Sequence, residues 1–260
     1  MEEKVVTLQG LQVNYTIEGS GPNLLILHGW GRGSEPYAQI QKDIANKGFC
    51  VVVPDLPGFG KSAYPQTVWG VEEYVNFILR FADGLGLKSF FLMGHSFGGQ
   101  VALKFAVEHA DSVKGLILCA AAVIRRKPDF KKRVIRFVSN VGSMVFSFWP
   151  FSMFSDIAGR AFYRLLGSGD WRYSQGIMKY VRQKVVRHDL SALAPQVTVP
   201  TLIVWGDQDQ ATPVKDAYTL KDKISGSSLR VISGVGHRLY VEAPDVFVES
   251  IVQFLRVQTL

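Results

Sequence analysis

The apolar run Ser89-Phe90-Phe91-Leu92-Met93 leads into Gly94-His95-Ser96-Phe97-Gly98-Gly99, and a helix-like stretch, Gln100 to His109, leads out of it. The order is strand, sharp turn, helix, with a serine at the apex. This matches the Gly-x-Ser-x-Gly nucleophile elbow, which requires that context. Glycines at 94 and 98 fit a turn so tight that flanking Cβ atoms would collide. By itself the five-residue pattern also arises by chance in ordinary loops. An acid and a histidine must follow in a matching setting for it to carry chemistry.

Outward from the elbow, strands and helices alternate. Residues 4–9 and 11–18 alternate apolar and polar around Gly10 and predict an antiparallel edge pair. Asn23 to His28 and Phe49 to Val53 are near-continuous apolar runs, as expected of strands buried on both faces. A helix is expected from Glu35 to Asn46. A second is expected from Val71 to Gly84, where Val71, Tyr74, Val75, Ile78, Leu79 and Ala82 share a stripe. Strands are predicted at Gly115 to Cys119, Val199 to Trp205 and Ser228 to Ile232, and helices at Pro213 to Lys223 and Asp245 to Arg256. This alternation predicts an α/β fold with a parallel sheet and helices on both faces.

Residues 123–195 break the rhythm. Helical periodicity replaces alternation, and between Val123 and Leu190 there are fourteen Lys and Arg against four Asp. The whole chain carries only +7, so a nearly neutral body holds a strongly basic insertion. The expected division is a core of residues 1–122 and 196–260 and a helical cap, 123–195, beyond the C-terminal end of a strand. Hydrophobic content of 47% over 260 residues supports a substantial core. Cys50 and Cys119 lie in apolar runs and predict buried, reduced thiols. Met-Glu-Glu-Lys lacks the layout of a signal peptide, which predicts a cytoplasmic protein.

A serine hydroxyl needs a base within hydrogen-bond reach, and the base needs an orienting acid. His237, in Gly234-Val235-Gly236-His237-Arg238, follows the 228–232 strand. Asp207 and Asp209 both follow the preceding strand, in Trp205-Gly206-Asp207-Gln208-Asp209. Serine, aspartate, histidine is the chain order of one hydrolase class. Taken together, His28-Gly29, Asp55-x-Pro57-Gly58-x-Gly60-x-Ser62, the elbow, Pro200-Thr201-Leu202, Gly206-x-x-Asp209-x-x-x-Pro213 and Gly236-His237 resemble the α/β-hydrolase superfamily, as a serine-nucleophile, esterase- or lipase-like member with a helical cap. The likeness covers nearly the whole chain and leaves the cap unfixed. It implies a mostly parallel, eight-stranded sheet. It also implies Ser96 as nucleophile, His237 as base, Asp209 as acid, and the backbone N–H groups of Trp30 and Phe97 as the oxyanion hole. The spacing to Pro213 favours Asp209 over Asp207, which reads as a turn residue.

Other candidates have plainer readings. His95 is expected to pack or bond near the elbow, His28 to brace the oxyanion loop, and His109 and His188 to lie at the surface or in the cap. No two histidines have metal-ligand spacing, so neither a metal nor another cofactor is expected. Gly60-Lys61-Ser62 fails as a phosphate loop because position 55 is Asp. In the insertion, Phe130, Val134, Phe137, Val138, Val141 and Val145 recur at helical spacing among Lys131, Lys132, Arg133 and Arg136. The favoured reading is cap helices with basic faces in water and apolar faces over a pocket, which predicts an apolar ester substrate; the alternative is a basic amphipathic surface in peripheral contact with anionic lipid. The charge is not read as nucleic-acid binding, since no such motif accompanies it. The expected activity is carboxylic ester hydrolysis through an acyl-enzyme. The same residues would serve carbon–carbon bond hydrolysis, perhydrolysis or acyl transfer, and the fold also hosts low-turnover receptors for small ligands. Epoxide and haloalkane hydrolases of this fold use an aspartate at the elbow, and Ser96 argues against them.

Overall fold

The computed structural model describes residues 1–125 and 176–259. The strands are β1 (Glu2–Leu8), β2 (Leu11–Glu18), β3 (Asn23–Leu27), β4 (Cys50–Pro54), β5 (Phe90–His95), β6 (Val113–Cys119), β7 (Thr201–Gly206) and β8 (Ser228–Ile232). They form one eight-stranded sheet in the order β1-β2-β4-β3-β5-β6-β7-β8. β2 runs antiparallel to β1 and β4, and every other neighbouring pair is parallel. The apolar runs are the central strands: every residue of β5 and β7 is buried, and β3 is buried beyond its first residue. The expected α/β architecture is therefore the one observed.

The helices are α1 (Ala38–Ala45), α2 (Val71–Gly84), α3 (Phe97–Glu108), α4 (Gly176–Val185), α5 (Lys215–Lys223), α6 (Leu239–Glu242) and α7 (Pro244–Val257). α2 turns most of its predicted stripe inward: Val71, Tyr74, Val75, Ile78 and Ala82 are buried, joined by Phe77 and Phe81, while Leu79 is only partly buried. At its start the Glu73 carboxylate accepts the Gly70 N–H at 2.6 Å and meets a helix-terminal positive charge. α2 packs on α3, and α1 packs on α7, so both faces of the sheet are covered.

Several expectations shift at their edges. The elbow helix begins at Phe97 rather than Gln100, because the turn winds directly into it. Glu35–Tyr37 is a 3₁₀ turn ahead of α1, with Pro36 inside it. Cys119 is buried, but Cys50, first residue of β4 at the sheet margin, is only half-buried; neither forms a disulfide. His109 is half-buried, its ring 4.8 Å from that of Phe105. His188 is exposed. Phe254, expected in the core, is partly buried and lies against Gly115. The apolar and basic positions named between Phe130 and Val145 lie outside the described residues.

The described margins of the insertion are tied together. Leu190 N–H donates to Val123 O at 3.0 Å, and the His188 carbonyl accepts from Arg125 Nε at 3.1 Å and Gln100 Nε2 at 3.3 Å. α4 reaches α2 through Lys184 and Glu73, 2.7 Å apart. Both ends of the insertion thus return to one place, beside the elbow helix.

Candidate active site

Parallel strands β3, β5, β6, β7 and β8 end at one edge, so the loops that leave them converge. Ser96 leaves β5 with φ 52° and ψ −112°, a conformation that disfavours any residue with a Cβ. Close packing holds it there. A Cβ at Gly94 would overlap the Gly98 carbonyl, and one at Gly98 would overlap the Leu27 carbonyl. The Ser96 N–H donates to Cys119 O at 3.0 Å, and its carbonyl accepts from Gly99 and Ala122. The serine is half-buried at the start of α3.

His237 Nδ1 lies 2.7 Å from Asp209 Oδ2, with the carboxylate fully buried and the imidazole 25% exposed. A carboxylate can only accept, so Nδ1 carries the proton and Nε2 is left as the basic nitrogen. Nε2 makes no hydrogen bond to a described residue, Ser96 included. Asp207 does something else: it accepts Gly234 N–H at 2.8 Å and Ser233 Oγ at 3.2 Å, closing the turn ahead of His237. Of the two aspartates the sequence offered, only Asp209 meets the histidine.

Thr212 was not singled out from the sequence. Its N–H donates to Asp209 Oδ1 at 2.9 Å, and its hydroxyl lies 2.8 Å from Asp209 Oδ2, 3.1 Å from Ala120 O and 3.4 Å from His237 Nδ1. Burial is the largest influence on the Asp209 carboxyl and acts to raise its pKa. The His237 hydrogen bond and charge, with the two bonds from Thr212, outweigh it and hold the carboxyl below its ordinary value. Glu242 was also missed. Its carboxylate accepts Gly236 N–H at 2.6 Å and Arg238 N–H at 3.1 Å, gripping the backbone on both sides of His237. Only spacing from the histidine could have pointed to it.

His28 is wholly buried and braces its loop, as the sequence suggested. Nδ1 donates to Gly29 O at 2.8 Å, and Nε2 accepts Leu56 N–H at 2.9 Å. That pairing needs the neutral ring, and burial, against the Gly29 bond, pushes its pKa down to about 4. Asp55 ties the same region: it accepts from Ser34 N, Asn14 Nδ2 and Lys61 N. The Asp55-to-Ser62 loop is therefore bonded to the chain itself. The N–H groups of Trp30 and Phe97 make no hydrogen bond to another described residue. Their side chains meet edge to face, ring centroids 5.5 Å apart.

A separate cavity of about 520 Å³ between Thr201, Ser228 and Phe254 opens at the other, N-terminal ends of β7 and β8. It is remote from these groups, and among the described residues that line it there is no histidine, cysteine or aspartate.

Comparison with known proteins gives a family. A family model described as alpha/beta hydrolase fold matches residues 22–145 and 147–244. A 2-hydroxy-6-oxo-6-(2'-aminophenyl)hexa-2,4-dienoic acid hydrolase of Metapseudomonas resinovorans is 25% identical, over 97% of this chain and 90% of its own. A monoacylglycerol lipase of Xenopus laevis is 26% identical, over 98% and 82%. Among solved structures, an esterase from Exiguobacterium antarcticum superposes with a TM-score of 0.77 at 23% identity, covering 97% of this chain and 98% of that one.

Proposed function

The chain belongs to the α/β-hydrolase fold family, and from that premise we propose that it is a serine hydrolase cleaving apolar carboxylic esters through an acyl-enzyme. The observation that carries this reading is the 2.7 Å pairing of His237 with a buried Asp209 at the sheet edge where Ser96 stands on its strained turn. Ser96 Oγ attacks the ester carbonyl carbon while His237 Nε2 takes its proton. Asp209 holds the ring in the tautomer that leaves Nε2 basic and stabilises the imidazolium. The N–H groups of Trp30 and Phe97 receive the developing oxyanion. The tetrahedral intermediate then collapses, and His237 returns the proton to the departing alkoxide. A water, deprotonated by His237, attacks the acyl carbon and restores Ser96 with release of the acid.

The relatives keep ester and carbon–carbon chemistry both in view. The Xenopus lipase acts on monoacylglycerol by its name, and the Metapseudomonas enzyme on a dienoic acid. A serine–histidine–aspartate set by itself favours neither, so the assay compares them: p-nitrophenyl esters of increasing chain length beside a vinylogous 1,5-diketone. The insertion forms the cap over this site in our reading. Lys179, Tyr180, Val186 and Arg187 are exposed on and just after α4. That mixture of cations with aromatic and aliphatic groups supports contact with an anionic lipid surface.

The first experiment is labelling with a fluorophosphonate, with the modified residue mapped by mass spectrometry. Label on Ser96, lost in Ser96→Ala, is the expected result. A wild-type protein that takes no label, or takes it elsewhere, overturns the serine-hydrolase reading.

A further inference from the structure

His95 stands beside the nucleophile in sequence, yet it is buried in the protein, only 3% exposed. Three parts of the proposed site meet on its ring. Its Nε2 lies 2.9 Å from the His237 carbonyl, and the two imidazole centroids are 4.8 Å apart. Its Nδ1 lies against the oxyanion loop: a Cβ placed on Gly29 would come within 2.8 Å of it. The backbone of His95 itself belongs to the elbow, through the last residue of β5.

From this geometry we infer that His95 is a positioning residue, setting the loop of His237 against the elbow and the oxyanion loop through one donated hydrogen bond. The inference rests on the serine-hydrolase reading of Ser96 and His237. A carbonyl oxygen only accepts, so Nε2 must carry the proton, and Nδ1 is an acceptor. Nδ1 is buried and has no hydrogen-bond partner among the described residues. Leaving a buried acceptor unmet is unfavourable, which marks the ring as held for its Nε2 contact rather than for full pairing. Burial, reinforced by the neighbouring His237, pushes the His95 pKa down to about 3. The ring therefore stays neutral and keeps its single donor across the working range.

Two further rings keep it in place. Tyr240, just beyond His237, meets the His95 ring edge-on at 5.2 Å and stacks on Tyr37 at 4.3 Å and 22°. The Tyr37 hydroxyl accepts Gly29 N–H at 3.4 Å. The base loop and the oxyanion loop are thus joined twice, by His95 directly and by the tyrosine pair behind it.

The test compares His95→Gln with His95→Met. The two side chains are close in length and shape, but only glutamine can donate to the His237 carbonyl. Turnover of p-nitrophenyl butyrate, fluorophosphonate labelling rate and thermal midpoint are read for both. A misplacement of about 1 Å can slow a reaction by roughly a hundredfold. The expected result is a kcat for His95→Met about 10- to 100-fold below wild type with KM nearly unchanged, and recovery of most of that loss in His95→Gln. Equal activity in the two variants, whether high or low, overturns the inference. So does a failure of both to fold, which would make His95 a core residue alone. Absence of label on wild-type Ser96 is a different failure, that of the serine-hydrolase reading itself.

Discussion

Burial pushes the His28 imidazole from its ordinary value of 6.5 down to about 4, and the ring is neutral in the fold. An unfolded chain protonates it near the ordinary value, so the unfolded state binds more protons between pH 6.5 and 4. Stability from this neutral ring is complete above that window and is lost as pH falls through it, by about 1.4 kcal/mol per pH unit for each such group. His95 adds to the same slope. Urea midpoints at stepped pH should decline through the window, and more gently in His28→Gln; an identical slope would mean that His28 is charged in the folded protein. Asp209 acts lower down. Its carboxyl is held below its ordinary value, so its contribution is present above that value and lost as pH falls through the depressed one. In catalysis the two aspartates of one loop should separate widely. Asp209→Asn offers His237 the wrong tautomer and should lower kcat by about ten-thousandfold, whereas Asp207→Asn keeps an acceptor for Gly234 and should stay within about tenfold of wild type. Steady-state ester hydrolysis by both variants decides, and the reverse order would move the acid to Asp207.

At the scale of elements, the contact that matters most joins the end of β3, the end of β5 and the first turn of α3. Gly98 lets the helix backbone touch the Leu27 carbonyl, and an alanine Cβ there would overlap backbone atoms that cannot rotate away. Relief requires α3 to lift from β3, which separates Ser96 and Phe97 from Trp30. Forcing an extra methyl into such packing costs about 1–3 kcal/mol, or roughly 3–10 °C in thermal midpoint for a domain of this size. Gly98→Ala should therefore melt earlier and lose activity beyond its loss of stability. Calorimetry with an activity assay well below the midpoint checks both; a variant as stable and as active as wild type would show that the elbow tolerates the shift. The neck of the insertion is the other shared contact, where Arg125 and Gln100 bond to the His188 carbonyl. It fixes the two described ends of the insertion to the elbow helix.

Over the whole molecule, charge is divided between a nearly neutral sheet body and a basic insertion. Among the described residues no helix is long and apolar enough to cross a membrane. In the lipid contact proposed above, the exposed residues of α4 would lie on the membrane surface. Sedimentation with phosphatidylglycerol vesicles should carry the protein down at low salt and release it at high salt, because the attraction is electrostatic and screened. Neutral phosphatidylcholine vesicles should not. No binding to anionic vesicles at low salt would remove lipid contact from the proposed function.

Local chemistry is what made the fold readable. Apolar runs bounded by turns, the stripe on α2 and the glycines around Ser96 each express a constraint that acts within a few residues, so the strands, their alternation with helices and the elbow were legible from the chain. The order of serine, aspartate and histidine was legible for the same reason, since each sits just after a recognisable strand. Partnership across the sheet edge was not. The spacing to Pro213 did favour Asp209 over Asp207, but that Thr212 and Glu242 hold Asp209 and His237, and that His95 bonds to a carbonyl 142 positions away, depend on where parallel strands end relative to one another. That offset is set by sheet register and by the packing of α3 into β3 and β6. A hydrogen bond between loops is decided by differences of an ångström, which only the assembled sheet fixes.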